Sequence, residues 1–175
     1  MDYTFKSARL GFRNWTVQDV EPLYFMCSDA DVMEFFPSTY TLQQTKDFIQ
    51  RMQQSFSLNG YCYFAVDILE TKEFIGFIGL SLQTFEADFT PCIDIGWRLK
   101  KTTWEKGYAT EGAKACLDFG FHQINLKSIV AMAPLLNSKS QHVMEKIGMQ
   151  RQLTFLHPKI EQGHPLQECV LYKIS

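Results

Sequence analysis

The chain has 175 residues and a formal charge of −2, a length that fits one globular domain with a core of its own. So little net charge gives no general attraction to nucleic acid or to an anionic membrane, which argues against both as partners. Five cysteines, Cys27, Cys62, Cys92, Cys116 and Cys169, are odd in number and lack CxxC spacing. They read as core residues of a reducing compartment rather than a disulfide frame or a zinc site.

In chain order, residues 5–14 read as a first strand. Thr16 with Asp19 three residues on marks a helix start, followed by the apolar stripe Val20, Leu23, Tyr24 and Cys27. Thr41 and Gln44 form a capping box ahead of Thr45, Phe48, Ile49, Met52 and Phe56, which recur at helical spacing. Residues 61–69 and 73–83 alternate or run apolar around the polar turn 70–72 and predict an antiparallel hairpin. A strand over residues 92–99 follows a polar loop. A helix over 110–122 carries Ala113, Cys116 and Leu117 on one face, and a strand over 127–133 comes next. Strand, helix, strand implies a parallel pair with a right-handed crossover. Asn137 and Ser138, with Gln141 three beyond the serine, open another helix that Val143, Met144 and Ile147 bury and Gly148 ends. Residues 149–156 and 167–174 read as a closing hairpin with a long loop. The expected class is therefore mixed α/β, as a single domain over residues 1–175. The start Met1-Asp-Tyr-Thr-Phe5 has no signal-peptide pattern and no stretch approaches ~18 uninterrupted apolar residues, so a soluble, cytoplasmic protein is expected.

The run Trp104-Glu-Lys-Gly-Tyr-Ala-Thr-Glu-Gly112 stands between a predicted strand and a predicted helix. A glycine turn that opens a helix presents free backbone N–H groups and the positive end of the helix dipole, which suit a phosphate. The G-x-A core alone is common, and the G-x-G-x-x-G spacing of a dinucleotide-binding turn is absent. Placement between a strand and a helix that leads to a parallel strand makes it a ligand-binding arrangement.

Three runs, Ile93-Asp-Ile-Gly-Trp-Arg-Leu99, the glycine turn, and Asn137-Ser-Lys-Ser-Gln-His-Val-Met-Glu-Lys-Ile-Gly-Met149, resemble the GNAT superfamily of N-acyltransferases. The opening Ala8 to Arg13 run, Phe74-Ile-Gly-Phe-Ile-Gly-Leu80 and the closing Leu171-Tyr172 resemble its ribosomal-protein N-terminal acetyltransferase (RimJ/RimL-type) branch. The resemblance implies a mostly antiparallel α+β sheet with flanking helices, and acetyl-coenzyme A bound where a central parallel strand pair splays apart. The main chain of Trp97, Arg98 and Leu99 would meet the pantetheine arm, and Asn137 its amide end. Trp104 stands where the superfamily usually has Gln or Arg, as is common in that branch. The backbone of Trp104, Lys106, Gly107, Tyr108, Ala109 and Thr110 would hold the pyrophosphate. Thr110 either caps the helix alone or also donates to a phosphate. Lys106 and Arg98 either add charge beside the pyrophosphate or play no part in it. Trp97 and Trp104 are expected to be packing residues rather than stacking platforms for a base.

Acetyl transfer to an amine needs a neutral amine, a stabilised oxyanion and a proton for the leaving thiolate. A peptide α-amine, with a pKa near 8, is about a tenth neutral at pH 7 and needs only a weak or water-mediated base. By the resemblance, a backbone N–H near Leu99 would meet the oxyanion. Ser140, three residues beyond Asn137 on the helix that flanks the coenzyme sulfur, would be the acid, unless it is only a first-turn helix hydroxyl. Many relatives use a tyrosine four residues further on, where this chain has Met144. Asp94 shares a strand side with Gly96 and Arg98 and could relay a proton through water, or be a salt-bridged strand aspartate. Glu86, Glu34, His157 and Glu161 are alternatives for the base, and Tyr172 reads as structural. Phe35-Phe36-Pro37 and Tyr61 to Phe64 are either pocket lining or core. No histidines have metal-ligand spacing and no metal is expected. The expected acceptor is a protein N-terminus or else a small amine such as a polyamine. A non-catalytic coenzyme-A-binding domain is the other reading. The chain is expected to act as a monomer or homodimer.

Overall fold

The computed structural model describes residues 2–175. One sheet holds eight strands: β1 (Phe5–Lys6), β2 (Leu10–Arg13), β3 (Tyr63–Ile68), β4 (Phe74–Gln83), β5 (Cys92–Leu99), β6 (Ile129–Pro134), β7 (Gln150–Leu156) and β8 (Glu168–Ile174). Their order is β1-β2-β3-β4-β5-β6-β8-β7. Neighbours are antiparallel except β5 and β6, which run parallel. Four α-helices accompany the sheet among the described residues: α1 (Val20–Ser28), α2 (Leu42–Asn59), α3 (Tyr108–Asp118) and α4 (Ser138–Lys146). None is long and apolar enough to cross a membrane.

The expected single strand over residues 5–14 is a hairpin of two short strands. Ser7 closes it: its N–H donates to the Leu10 carbonyl and its hydroxyl accepts the Leu10 N–H. Such side-chain bonds compete with a continuing strand. The Thr41 capping box forms as the spacing predicts, with Gln44 N–H on the Thr41 hydroxyl and Thr41 N–H on the Gln44 side chain. The helix expected from residue 110 begins two residues earlier and widens after Asp118 into a π-turn over Phe119–Gln123.

Alternation along the strands divides the molecule into two faces. Phe77 looks toward α2, where it packs on Phe48 with ring centroids 5.1 Å apart. Its register partner on β5 is Arg98. Ile78 looks the other way, toward α3. A Cβ at Gly112 would overlap the Ile78 side chain and stand 3.3 Å from Leu10 Cδ1, so glycine lets α3 press directly onto the sheet. The core fills both faces, with Cys27, Cys62, Cys116 and Cys169 buried in it and Cys92 partly exposed.

β4 and β5 stay in register from Gly76 opposite Leu99 to Gln83 opposite Cys92. β5 and β6 share one register pair, Asp94 with Val130. Beyond it the two strands part. Lys100 N–H donates to the Ile75 carbonyl at 2.8 Å, so antiparallel alternation directs the backbone groups of Trp97 and Leu99 to the opposite edge, facing the gap.

Candidate active site

The gap opens into a cleft of about 600 Å³ whose wall includes Trp97, Arg98, Leu99, Trp104, Gly107, Tyr108, Ala109, Thr110, Asn137 and Ser140. Residues from β5, the turn before α3 and the start of α4 thus converge on one space. Lys106 and Asp94 are not part of its wall.

Two left-handed residues shape the turn. Glu105 has φ 63° and Gly107 φ 80°; glycine adopts this conformation without strain, whereas a glutamate in it costs about 1 kcal/mol or more. Gly107 is the N-cap of α3, and Glu111 N–H closes the first helical turn on the Gly107 carbonyl. The N–H groups of Tyr108, Ala109 and Thr110 therefore precede any helical acceptor and belong to residues that line the cleft. Thr110 lies inside the helix and is not its cap, because the turn already reverses the chain at Gly107.

Trp104 ties this turn to the sheet. Its indole N–H donates to the Leu99 carbonyl at 2.9 Å, and Lys139 Nζ lies 5.0 Å from its ring. A second brace is Arg9, whose Nε meets Glu111 at 2.6 Å and whose Nη1 reaches the Lys106 carbonyl at 3.1 Å. Its guanidinium also lies 4.5 Å over the Tyr108 ring. Burial raises the Glu111 carboxyl, but hydrogen bonds from Ser7 and Arg9 outweigh it and hold the pKa below the ordinary value. Arg9 stands 102 positions from Glu111 in sequence, and no local spacing signals their meeting. Lys106 is exposed; its carbonyl, not its ammonium, is engaged in bracing the turn.

At the opposite wall, Asn137 caps α4 by accepting the Ser140 N–H on Oδ1 at 3.0 Å. Ser138 is the first helical residue rather than the cap, and Gln141 turns back to the Leu135 carbonyl. The cap orients the first turn so that Ser140 and Asn137 share the cleft wall. Met144, further along α4, is buried.

The sequence leaves Arg98 either a charge beside the pyrophosphate or without a part in it, and its side chain turns away from the Gly107 turn. Period-two alternation puts its side chain on the α1 and α2 face with Phe77, and it contacts Cys27, Phe36 and Tyr40 there. Its N–H and C=O face Phe77 on β4, so of the main chain expected to meet the pantetheine arm only Trp97 and Leu99 turn toward the gap. Asp94 occupies the same face and has no salt bridge. The Tyr63 hydroxyl stands 2.8 Å from each of its oxygens, and Gln83 Nε2 donates to Oδ1 at 2.9 Å. Burial pushes the Asp94 pKa up to about 6 against the lowering effect of these bonds.

Of the other acidic or basic candidates, Glu34 lines the cleft, while Glu86, His157 and Glu161 do not. His157 packs on Phe85 with centroids 4.7 Å apart, and burial lowers its pKa. Phe35 and Phe36 line the cleft, whereas Tyr61, Cys62 and Phe64 belong to the core. Tyr172 is buried and donates to Glu145.

Residues 9–150 match the family described as Acetyltransferase (GNAT) domain. An uncharacterized N-acetyltransferase of Bacillus subtilis, YnaD, is 31% identical over 167 residues, which span 95% of this chain and 93% of the relative. The fold is shared with RimL, a ribosomal L7/L12 α-N-protein acetyltransferase solved with coenzyme A, at a TM-score of 0.78 and 14% identity over 99% of this chain and 97% of that one. It is also shared with a Vibrio cholerae spermidine N-acetyltransferase solved with CoA and spermine, at a TM-score of 0.74 and 17% identity over 95% of each chain.

Proposed function

Because this chain belongs to the GNAT acetyltransferase family, we propose that it transfers an acetyl group from acetyl-coenzyme A to a primary amine, with a protein N-terminal α-amine as the acceptor. The observation that carries the reading is the single cleft that joins the unpaired edge of β5, the Gly107 turn and the Asn137–Ser140 helix start. A backbone edge that turns the Trp97 peptide groups and the Leu99 N–H to the gap, with the Leu99 carbonyl taken by Trp104, fits the amides of a pantetheine arm, and a glycine-capped helix start fits a pyrophosphate. Bound acetyl-coenzyme A supplies an activated thioester, so neither a metal nor an acyl-enzyme enters this route.

The chain's own residues do the rest. The Leu99 N–H, turned toward the gap, donates to the oxyanion that forms as the amine attacks. The Ser140 hydroxyl passes a proton to the departing thiolate and regains one from solvent, so the serine is unchanged over the cycle. Asp94, held by Tyr63 and Gln83 with a pKa near 6, accepts the amine proton through water. An α-amine suits so weak a base, since about a tenth of it is neutral at pH 7. The N-terminal acceptor is supported by the likeness to RimL and by this chemistry. The shared fold of the spermidine enzyme supports a small polyamine as the second reading. Five free cysteines fit a reducing, cytoplasmic setting.

Isothermal titration with acetyl-coenzyme A tests the donor site. Saturable heat is the expected result, and the absence of heat at millimolar ligand contradicts the reading.

A further inference from the structure

Arg98 is 7% exposed and forms part of the cleft wall. Its guanidinium carbon stands 3.8 Å over the Phe36 ring, 5.0 Å from Tyr40 and 5.2 Å from Phe77. Nη1 donates to Cys27 Sγ at 3.3 Å, a thiol that burial keeps neutral. Nε is buried without a hydrogen-bond partner. The carboxylates nearby are committed elsewhere or exposed: Asp31 pairs with Lys101, Asp94 is held by Tyr63 and Gln83, and Glu34 forms no ion pair with Arg98.

The same chain shows what a purely structural buried arginine looks like. Arg13, equally buried at 7% exposure, forks onto Asp19 with both Nη atoms at 2.8 Å and onto Asp67 with Nε at 2.6 Å and Nη2 at 3.0 Å. Arg98 has three rings and a thiol instead. Rings attract a cation but do not replace a counter-ion, and an unpaired buried charge is costly. The edge formed by Nε and Nη2 is the one with which a guanidinium forks onto a carboxylate. The donor turn belongs to α3 on the opposite face of the sheet, so an anion reaching this edge is not the pyrophosphate.

We propose that Arg98 recognises the acceptor, its Nε–Nη2 edge receiving a carboxylate that lies a few bonds from the amine to be acetylated. This rests on the transferase reading and narrows its substrate class. Two sources present that chemistry: the carboxylate of a free α-amino acid, and the acidic side chain of an N-terminal residue. A polyamine presents none and is repelled by Arg98.

Thiol release from acetyl-coenzyme A is measured with matched acceptors: phenylalanine against phenethylamine, leucine against isoamylamine, and peptides beginning with aspartate against the same peptides beginning with asparagine. The carboxylate member of at least one pair is expected to have a kcat/KM higher by about tenfold or more, mostly through KM. The pair that shows it names the source. Arg98→Met removes the preference while acetyl-coenzyme A affinity, read by titration, stays unchanged. Arg98→Lys keeps the charge but loses the fork; it loses most of the preference and serves if the methionine variant does not fold. Turnover with no preference in any pair, or a preference that survives both variants, overturns the assignment and leaves the transferase reading standing. Acetyl-coenzyme A binding with no acceptor of any pair acetylated overturns both.

Discussion

The Tyr63 hydroxyl stands 2.8 Å from both carboxylate oxygens of Asp94, inside the sheet face that carries Arg98. Burial raises both groups: Asp94 to about 6, and Tyr63 well above its ordinary value. The pair is thus a neutral phenol donating to a carboxylate that loses its proton near the lower end of the physiological range.

That shift fixes a pH dependence. The folded protein binds an extra proton at Asp94 between the unfolded pKa of about 3.9 and the folded value near 6, so stability falls as pH rises through this window. Above it the ionised carboxylate costs the fold roughly 2–3 kcal/mol. Urea unfolding of wild type and Asp94→Asn at pH 4.5 and pH 7.5 checks this. The variant is expected to gain relative to wild type at the higher pH; equal pH dependence would show that Asp94 does not titrate there. If Asp94 also takes the amine proton, the variant loses the acidic limb of kcat/KM near pH 6.

Gly107→Val should weaken acetyl-coenzyme A binding by at least about tenfold, since a β-branched residue at positive φ is an outlier and its side chain enters the turn. Gly107→Asn, which tolerates the left-handed region, should lose much less. Titration calorimetry compares the two. Equal affinities for both variants and wild type remove the turn from the donor site.

Ser140→Ala should lower kcat by about 10²-fold, the usual scale of one general acid, with little change in affinity for acetyl-coenzyme A. Its N–H still bonds Asn137, so the helix cap survives. Turnover within a factor of two of wild type assigns the proton to another group.

Arg13→Ala leaves Asp19 and Asp67 buried without their cation and should destabilise the fold by about 3–5 kcal/mol. Arg98→Met removes a charge that has no such partner and should be tolerated far better. Denaturant midpoints for the two variants measure the contrast, and a larger loss at Arg98 would contradict the assignment of the two arginines to different tasks.

Much of this was legible in local pattern. The parallel β5–β6 pair followed from strand, helix and strand in sequence, the Thr41 cap from its Gln44 partner, and the cleft-lining turn from a glycine ahead of a helix. What local pattern lacks is any record of contact at a distance. Arg9 reaches Glu111 across 102 positions, and Glu105 is left-handed in the turn, although glutamate has no preference for that conformation. Ser7 broke the first strand by a hydrogen bond that propensity does not weigh. Arg98 was ambiguous because β5 could be assigned alternating sides without knowing which side α3 would cover; Gly112 against Ile78 decides that.

Mass spectrometry of peptides with varied N-terminal residues, and of spermidine, after incubation with the protein and acetyl-coenzyme A reads acetyl transfer itself. A single acetyl group is expected on the α-amine of at least one peptide, with coenzyme A released in equal amount. A protein that binds acetyl-coenzyme A and leaves every one of these amines unmodified would contradict the transferase reading.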